Sequence, residues 1–269
     1  MNWLPVILAF AVMGAMGLAF GVMLSIADKK LAVETDPRVA RVREALGGAN
    51  CGACGCAGCD AFADALVCGK VKPSDCPVGS AKAIGKALGV ECEESEKKVA
   101  RVLCQGHEGV AKERYEYDGY ASCSVAAGIA GGPKLCTFSC LGLGDCEKAC
   151  AFGAIHMEKN LAHIDPALCV ACGKCVDVCP RAVIRLVPAR EHVLVLCQNS
   201  DTGRVARAAC MRACIACGRC QKECKYGAID ITKGFAVIDQ DKCTRCGACA
   251  KVCPCDCIVD YAVHLPEGN

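Results

Sequence analysis

Twice in this chain four cysteines and a proline follow one spacing, Cys-x2-Cys-x2-Cys-x3-Cys-Pro. The first run is Cys169, Cys172, Cys175, Cys179 and Pro180, and the second is Cys243, Cys246, Cys249, Cys253 and Pro254. Two-residue spacers let successive sulfurs turn inward around a compact cuboidal centre. In this pattern three thiolates hold one [4Fe–4S] cluster and the fourth reaches across to another. Structural zinc more often takes two well-separated Cys pairs or mixes in His. The chemistry to expect is one-electron transfer at iron–sulfur centres.

The back half is a duplication. A shift of 74 residues superposes Cys136, Cys140, Cys146 and Cys150 on Cys210, Cys214, Cys220 and Cys224, and it carries the first run onto the second. Gly153-Ala154-Ile155, Asp165 and Ile184 repeat as Gly227-Ala228-Ile229, Asp239 and Ile258. In copy two, Cys214, Cys217, Cys220 and Cys224 complete the same spacing. Crossed pairing then predicts Cys214, Cys217, Cys220 and Cys253 on one cluster, and Cys224, Cys243, Cys246 and Cys249 on the other. In copy one Leu143 stands where copy two has Cys217. The expected sets there are Cys136, Cys140, Cys146 and Cys179, and Cys150, Cys169, Cys172 and Cys175. If the copies bind alike, Cys210 competes with Cys217; the regular spacing favours Cys217.

A separate set lies upstream. Cys51, Cys54, Cys59 and Cys76 make a fifth group of four, with Cys56 and Cys68 spare. Five clusters, or about 20 iron and 20 sulfide per chain, follow. Nine of the 29 cysteines are left over. Cys104 and Cys197 share the context Val-Leu-Cys-Gln, so each copy is expected to begin there. Cys92, Cys104 and Cys123 leave room for a sixth cluster, but with no short-spaced pair among them they read as small buried hydrophobes. Cys255 and Cys257 make the tail of copy two unusually cysteine-rich.

Composition limits the alternatives. A formal charge of +2 gives no reason to expect nucleic acid binding. An odd cysteine count and an uncharged N-terminal stretch argue against an exported disulfide framework. There is no dinucleotide fingerprint, P-loop or evident acid–base pair. Twelve aromatics make a thin apolar core, so bound clusters must cross-link what packing cannot.

The elements that position these thiols follow. Trp3 to Ala27 carries no charge. As a helix it is about 37 Å long, enough to cross a hydrocarbon core of about 30 Å. Lys29 and Lys30 follow it, so the positive-inside bias predicts a single-pass anchor in the cell membrane with the N-terminus out and the body cytoplasmic. Gly17 and Gly21 suit a small-residue helix contact. Asp36-Pro37 reads as a helix start, with Val39, Val42 and Leu46 on one face and Gly47-Gly48 as the stop. Further helices are expected over 60–67 and 80–88. Hairpins are expected around Lys159-Asn160 and Lys233-Gly234, with His156 and His163 as strand surface. The expected fold is α+β: an anchor (1–27), a small helical cluster domain (28–90), a linker with a charged hinge over 91–98 (91–134), and two tandem ferredoxin-like modules (135–188 and 189–269).

These motifs together resemble the B subunit of the Rnf ion-translocating ferredoxin:NAD+ oxidoreductase complex, in its longer form with duplicated modules. The likeness spans the chain. It rests on the anchor, on Asn50-Cys-Gly-Ala-Cys54 with Ala57-Gly58-Cys59 and Cys76-Pro77, on Gly131-Gly-Pro-Lys-Leu-Cys136, and on the two modules. The chain departs from the family at Cys56, where an aromatic is usual, and at Ala151 and Lys225, where proline would follow the cysteine. The resemblance implies an electron-relay subunit. It would take electrons from soluble ferredoxin and pass them toward NAD+ through integral membrane and flavin- or NAD-binding partners, coupled to Na+ or H+ transport. The residues alone also fit a membrane-tethered polyferredoxin or redox sensor. Arg181, Arg185, Arg190, Arg204, Arg207 and Arg212 outnumber the acids over 181–212. Near Arg204 and Arg207 they offer a basic surface for an acidic ferredoxin or for anionic lipid.

Overall fold

The computed structural model describes residues 3–31, 36–93 and 96–262; Glu94 and Ser95, inside the expected hinge, lie outside the described residues. Helix α1 (Leu4–Leu31) is a single run of 28 residues, extending past the apolar stretch through Lys29 and Lys30. Its span Leu4–Asp28 is long and apolar enough to cross a membrane, and none of it is buried by the rest of the chain.

Three helices form the next unit: α2 (Pro37–Ala45), α3 (Cys59–Val67) and α4 (Ala81–Leu88), with a 3-10 turn at Pro73–Asp75. Asp36 caps α2 by accepting from the Arg38 N–H, and Pro37 fills the first turn, where no backbone donor is missed. Ser80 caps α4, and Gly89 ends it in the left-handed region. Val42, Leu46, Phe62, Leu66 and Ile84 close into one apolar cluster against Cys76. The face expected on α2 is therefore the one that is buried.

The rest of the described chain is two copies of one plan. In copy one β1 (Lys98–Val102) pairs antiparallel with β4 (Ile184–Pro188), and β2 (Ile155–Glu158) pairs with β3 (Leu161–Ile164). In copy two β5 (Val193–Val195) pairs with β8 (Ile258–Asp260), and β6 (Ile229–Asp230) with β7 (Val237–Ile238). Short helices alternate with them: α5 (Cys123–Gly128), α6 (Asp145–Ala149) and α7 (Lys174–Asp177), then α8 (Gly203–Ala209), α9 (Arg219–Glu223) and α10 (Ala248–Lys251). Copy one thus starts at β1, inside what the sequence reads as a linker, because β1 is the edge partner of its last strand. The duplication extends upstream with it, at a shift of 93: Val102 lies opposite Ile184, and Val195 opposite Ile258. Between Cys104 and Cys136 copy one therefore has 19 more residues than copy two has between Cys197 and Cys210. That extra segment carries α5.

The first hairpin matches its expected turn, with Lys159 and Asn160 both at positive φ. His156 and His163 face each other across it, rings stacked 5.5 Å apart. The second hairpin is the shorter of the two. Asp230 accepts from the Thr232 N–H and hydroxyl, an Asx turn that takes the chain out of the ladder.

Gly142 shows where a glycine is required. A Cβ there would stand 2.4 Å from the Asn160 carbonyl oxygen. Its counterpart Ala216 holds the same left-handed backbone with a side chain, at φ 52°, so contact rather than φ alone demands glycine. Gly142→Ala is expected to cost about 1–3 kcal/mol and to lower the anaerobic denaturation midpoint. Ala216→Gly should barely move it.

Candidate iron–sulfur sites

Each cysteine loop repeats one geometry. Gly142, Ala171, Ala216 and Arg245, each two residues after the first cysteine of its loop, all have positive φ. Gly144, Gly173, Gly218 and Gly247 do too, and each opens the following helix as its N-cap. This winding turns backbone N–H groups inward. Arg245 N–H donates to Cys243 Sγ at 3.4 Å, and Gly142 and Ala216 donate to Cys140 and Cys214 in the same way. A strand contributes as well: Ala236 N–H reaches Cys214 Sγ at 3.4 Å, and Ala162 makes the equivalent bond to Cys140. Donors aimed at sulfur are what an electron-rich thiolate centre needs.

Four pockets are lined by cysteines. Cys51, Cys54, Cys59 and Cys76 line one. Cys150, Cys169, Cys172 and Cys175 line another. Cys214, Cys217, Cys220 and Cys253 line a third, with Cys255 and Cys257 beside them. Cys123, Cys140, Cys146 and Cys179 line the fourth. Cys249 interacts with Cys243 where α10 packs on α9, and Cys224 joins the same apolar cluster. Among the described residues no group of three or more His, Cys, Asp or Glu is placed to hold a single metal ion. Pockets ringed by several thiols instead suit an occupant held by soft sulfur ligands, and a [4Fe–4S] cluster answers that description.

One position differs from the sequence expectation. The pocket of Cys140, Cys146 and Cys179 takes its fourth cysteine from α5, as Cys123, and not from Cys136. Leu143, where copy two has Cys217, packs instead against the apolar cluster of Cys123, Ala126 and Leu141. The Asp145 carboxylate fixes α5: Oδ2 accepts from Ser122 Oγ (2.9 Å) and the Ser124 N–H (3.0 Å), on either side of Cys123. Burial pushes the Asp145 pKa up, but these hydrogen bonds outweigh it and the net shift is downward. Copy two has Arg219 at this position and no α5. Cys136 lies elsewhere, with Asn199 Nδ2 at 3.4 Å from its sulfur. Cys210 likewise stays out of the Cys217 pocket.

Burial pushes the thiols of Cys146 and Cys175 up to about 12 and those of Cys220 and Cys249 up to about 11, neighbouring thiolates adding to the effect. As bare thiols they keep their protons at neutral pH; iron is what makes such groups thiolates. Cys257, where copy one has Val183, hydrogen-bonds Cys253 and Cys214. It holds their thiols down, at about 5 and about 6, and its own is raised.

Three iron–sulfur family models match parts of the chain. Residues 46–78 match a family model described as "Putative Fe-S cluster", 213–257 a "4Fe-4S dicluster domain", and 162–185 a "4Fe-4S binding domain". Over 257 residues, 94% of this chain and 77% of the relative, it is 45% identical to the B subunit of the Na(+)-translocating ferredoxin:NAD(+) oxidoreductase complex of Acetobacterium woodii. The chain belongs to the B-subunit family of ion-translocating oxidoreductase complexes. The B subunit of the ion-translocating oxidoreductase complex of Methanosarcina acetivorans is 44% identical over 91% of this chain and 95% of its own. Its counterpart in the proton-translocating ferredoxin:NAD(+) oxidoreductase complex of Clostridium ljungdahlii is 38% identical over 93% and 90%. That membership agrees with the apolar helix α1 and with the thiol-lined pockets.

Proposed function

We propose that this chain is the iron–sulfur relay subunit of a membrane-bound, ion-translocating ferredoxin:NAD+ oxidoreductase. What supports the reading is the similarity, over more than nine-tenths of this chain, to subunits so named, joined to the thiol-lined pockets. The ligand sets we propose are Cys51, Cys54, Cys59 and Cys76; Cys123, Cys140, Cys146 and Cys179; Cys150, Cys169, Cys172 and Cys175; Cys214, Cys217, Cys220 and Cys253; and Cys224, Cys243, Cys246 and Cys249. Bound clusters supply one-electron steps at low potential. The residues around them hold the thiolates, aim N–H groups at sulfur and exclude water with a thin apolar shell. The modules run from 98 to 188 and from 193 to 260, α1 anchors the body on the cytoplasmic side, and integral membrane and flavin- or NAD-binding partners complete the complex.

The donor we assign is a soluble, acidic ferredoxin meeting α8. Several arginines of the basic stretch have partners: Arg181 bonds the Gly131 carbonyl, Arg190 pairs with Glu96, Arg212 bonds Gln105 and Arg207 bonds the Met211 carbonyl. Arg204 and Arg207 are exposed on α8 beside exposed Val205 and Met211. Arg204→Glu with Arg207→Glu should slow oxidation of reduced ferredoxin by the membrane-bound complex on the order of tenfold at low salt, the defect shrinking as salt rises. A defect independent of salt, or none, would remove α8 as the docking surface. Failure of the native chain to co-purify with integral membrane subunits would remove the relay reading itself.

A further inference from the structure

We infer that Cys104, Cys136, Cys197 and Cys210 hold a sixth [4Fe–4S] cluster, lying between the two modules. The inference rests on the iron–sulfur reading above and extends it to four thiols which that reading leaves over. Each module contributes one pair. Cys104 and Cys197 are equivalent under the shift of 93, and Cys136 and Cys210 under the shift of 74.

The fold brings the four together. Cys136 lies within electrostatic reach of both Cys197 and Cys210, and Cys197 packs against the cluster that contains Cys210. Asn199, two residues beyond Cys197, is 1% exposed and donates Nδ2 to Cys136 Sγ at 3.4 Å. Cys104 enters from the other side. Lys134 interacts with both Cys104 and Cys210, and Arg212 bonds Gln105, the neighbour of Cys104, at 2.7 Å.

The sulfurs are treated as the proposed ligands are treated. Gly106 N–H donates to Cys104 Sγ at 3.2 Å; Asn199 and Arg212 make the same bond, two residues on, to Cys197 and Cys210. The pattern copies that of Cys140, Cys214 and Cys243. Second donors come from Cys140 N–H to Cys104 (3.4 Å) and Cys214 N–H to Cys197 (3.3 Å). Cys140 and Cys214 are equivalent ligands of the two modules, so the site touches the first pocket of each.

A buried cation sits beside these thiols, as it does beside Cys140 of the first pocket. Lys134 is 2% exposed, and its ammonium donates to the Gly106 and Asn160 carbonyls, with no carboxylate paired to it among the described residues. A charge so desolvated needs a counter-charge. A cluster with four thiolates is dianionic; four neutral thiols supply nothing.

The test is cluster counting on the anaerobic holoprotein. Iron and sulfide should be about 24 each, for six clusters of four. Cys197→Ser with Cys210→Ser should lose four of each. Cys104→Ser with Cys136→Ser, on the opposite module, should lose the same four, and all four substitutions together no more than either pair. Native mass spectrometry of the unsubstituted chain counts clusters without any substitution, so misfolding of a variant leaves the test intact. A wild-type count of five clusters with both pairs silent would overturn the inference, as would zinc bound at these cysteines. Iron near zero would overturn the iron–sulfur reading as well.

Discussion

Cys123→Ser is expected to remove four iron and four sulfide from the chain, although Cys123 belongs to no short-spaced cysteine run. It stands with Cys140, Cys146 and Cys179 around one pocket. No other cysteine among the described residues lines that pocket, so none is placed to substitute for it. A serine hydroxyl is a poor replacement for a thiolate on iron. Additivity identifies the ligand. If Cys123 and Cys136 serve different clusters, the double variant Cys123→Ser/Cys136→Ser loses eight iron. If Cys136 is the ligand of this pocket, Cys123→Ser loses none and the double variant loses only what Cys136→Ser loses. Asp145→Asn gives a finer reading. It keeps the size of the side chain but weakens the hold on Ser122 and Ser124, so it should loosen this cluster and leave the Cys217 pocket untouched.

Why Cys123 escapes a reading by spacing is a matter of chain topology. In the regular runs neighbours within a turn supply the ligands, and a local pattern suffices. Cys123 reaches its pocket from a 19-residue segment that copy two lacks, and only folding brings α5 against α6. Two signals for it do stand in the sequence: Leu143 where a cysteine would complete the run, and the extra length upstream. Cys136 drew the assignment because it is nearer in sequence, but loops pack by contact and not by separation. The start of copy one was hidden for a related reason. β1 is five residues long and pairs with a strand more than eighty residues away, and such non-local pairing leaves no periodic trace. By contrast the cap of α2, the extent of α4, the Lys159-Asn160 turn and the apolar length of α1 are set by residues next to one another, and these were legible.

Deleting residues 1–31 is expected to turn a membrane protein into a soluble one with its iron intact. α1 leaves Leu4, Phe10 and Leu18 more than 70% exposed, and burying each such side chain gains about 1.5–3 kcal/mol. A helix of this length with no ionisable residue before Asp28 can satisfy that demand in lipid, where its backbone is already hydrogen-bonded internally. Alkaline or high-salt washing should leave the full chain in the pellet and release the shortened one completely. The pockets should survive, since the helix buries nothing of itself in the body. Electron delivery to membrane partners should then collapse while reduction of the isolated body by ferredoxin persists. The glycines separate anchoring from assembly. A Cβ at Gly14, Gly17 or Gly21 would meet no atom of this chain within 4 Å, so Gly17→Leu with Gly21→Leu cannot disturb the fold from within. If that face packs on a partner helix, the variant stays in the membrane but no longer co-purifies with the integral subunits. If it faces lipid, assembly is unchanged.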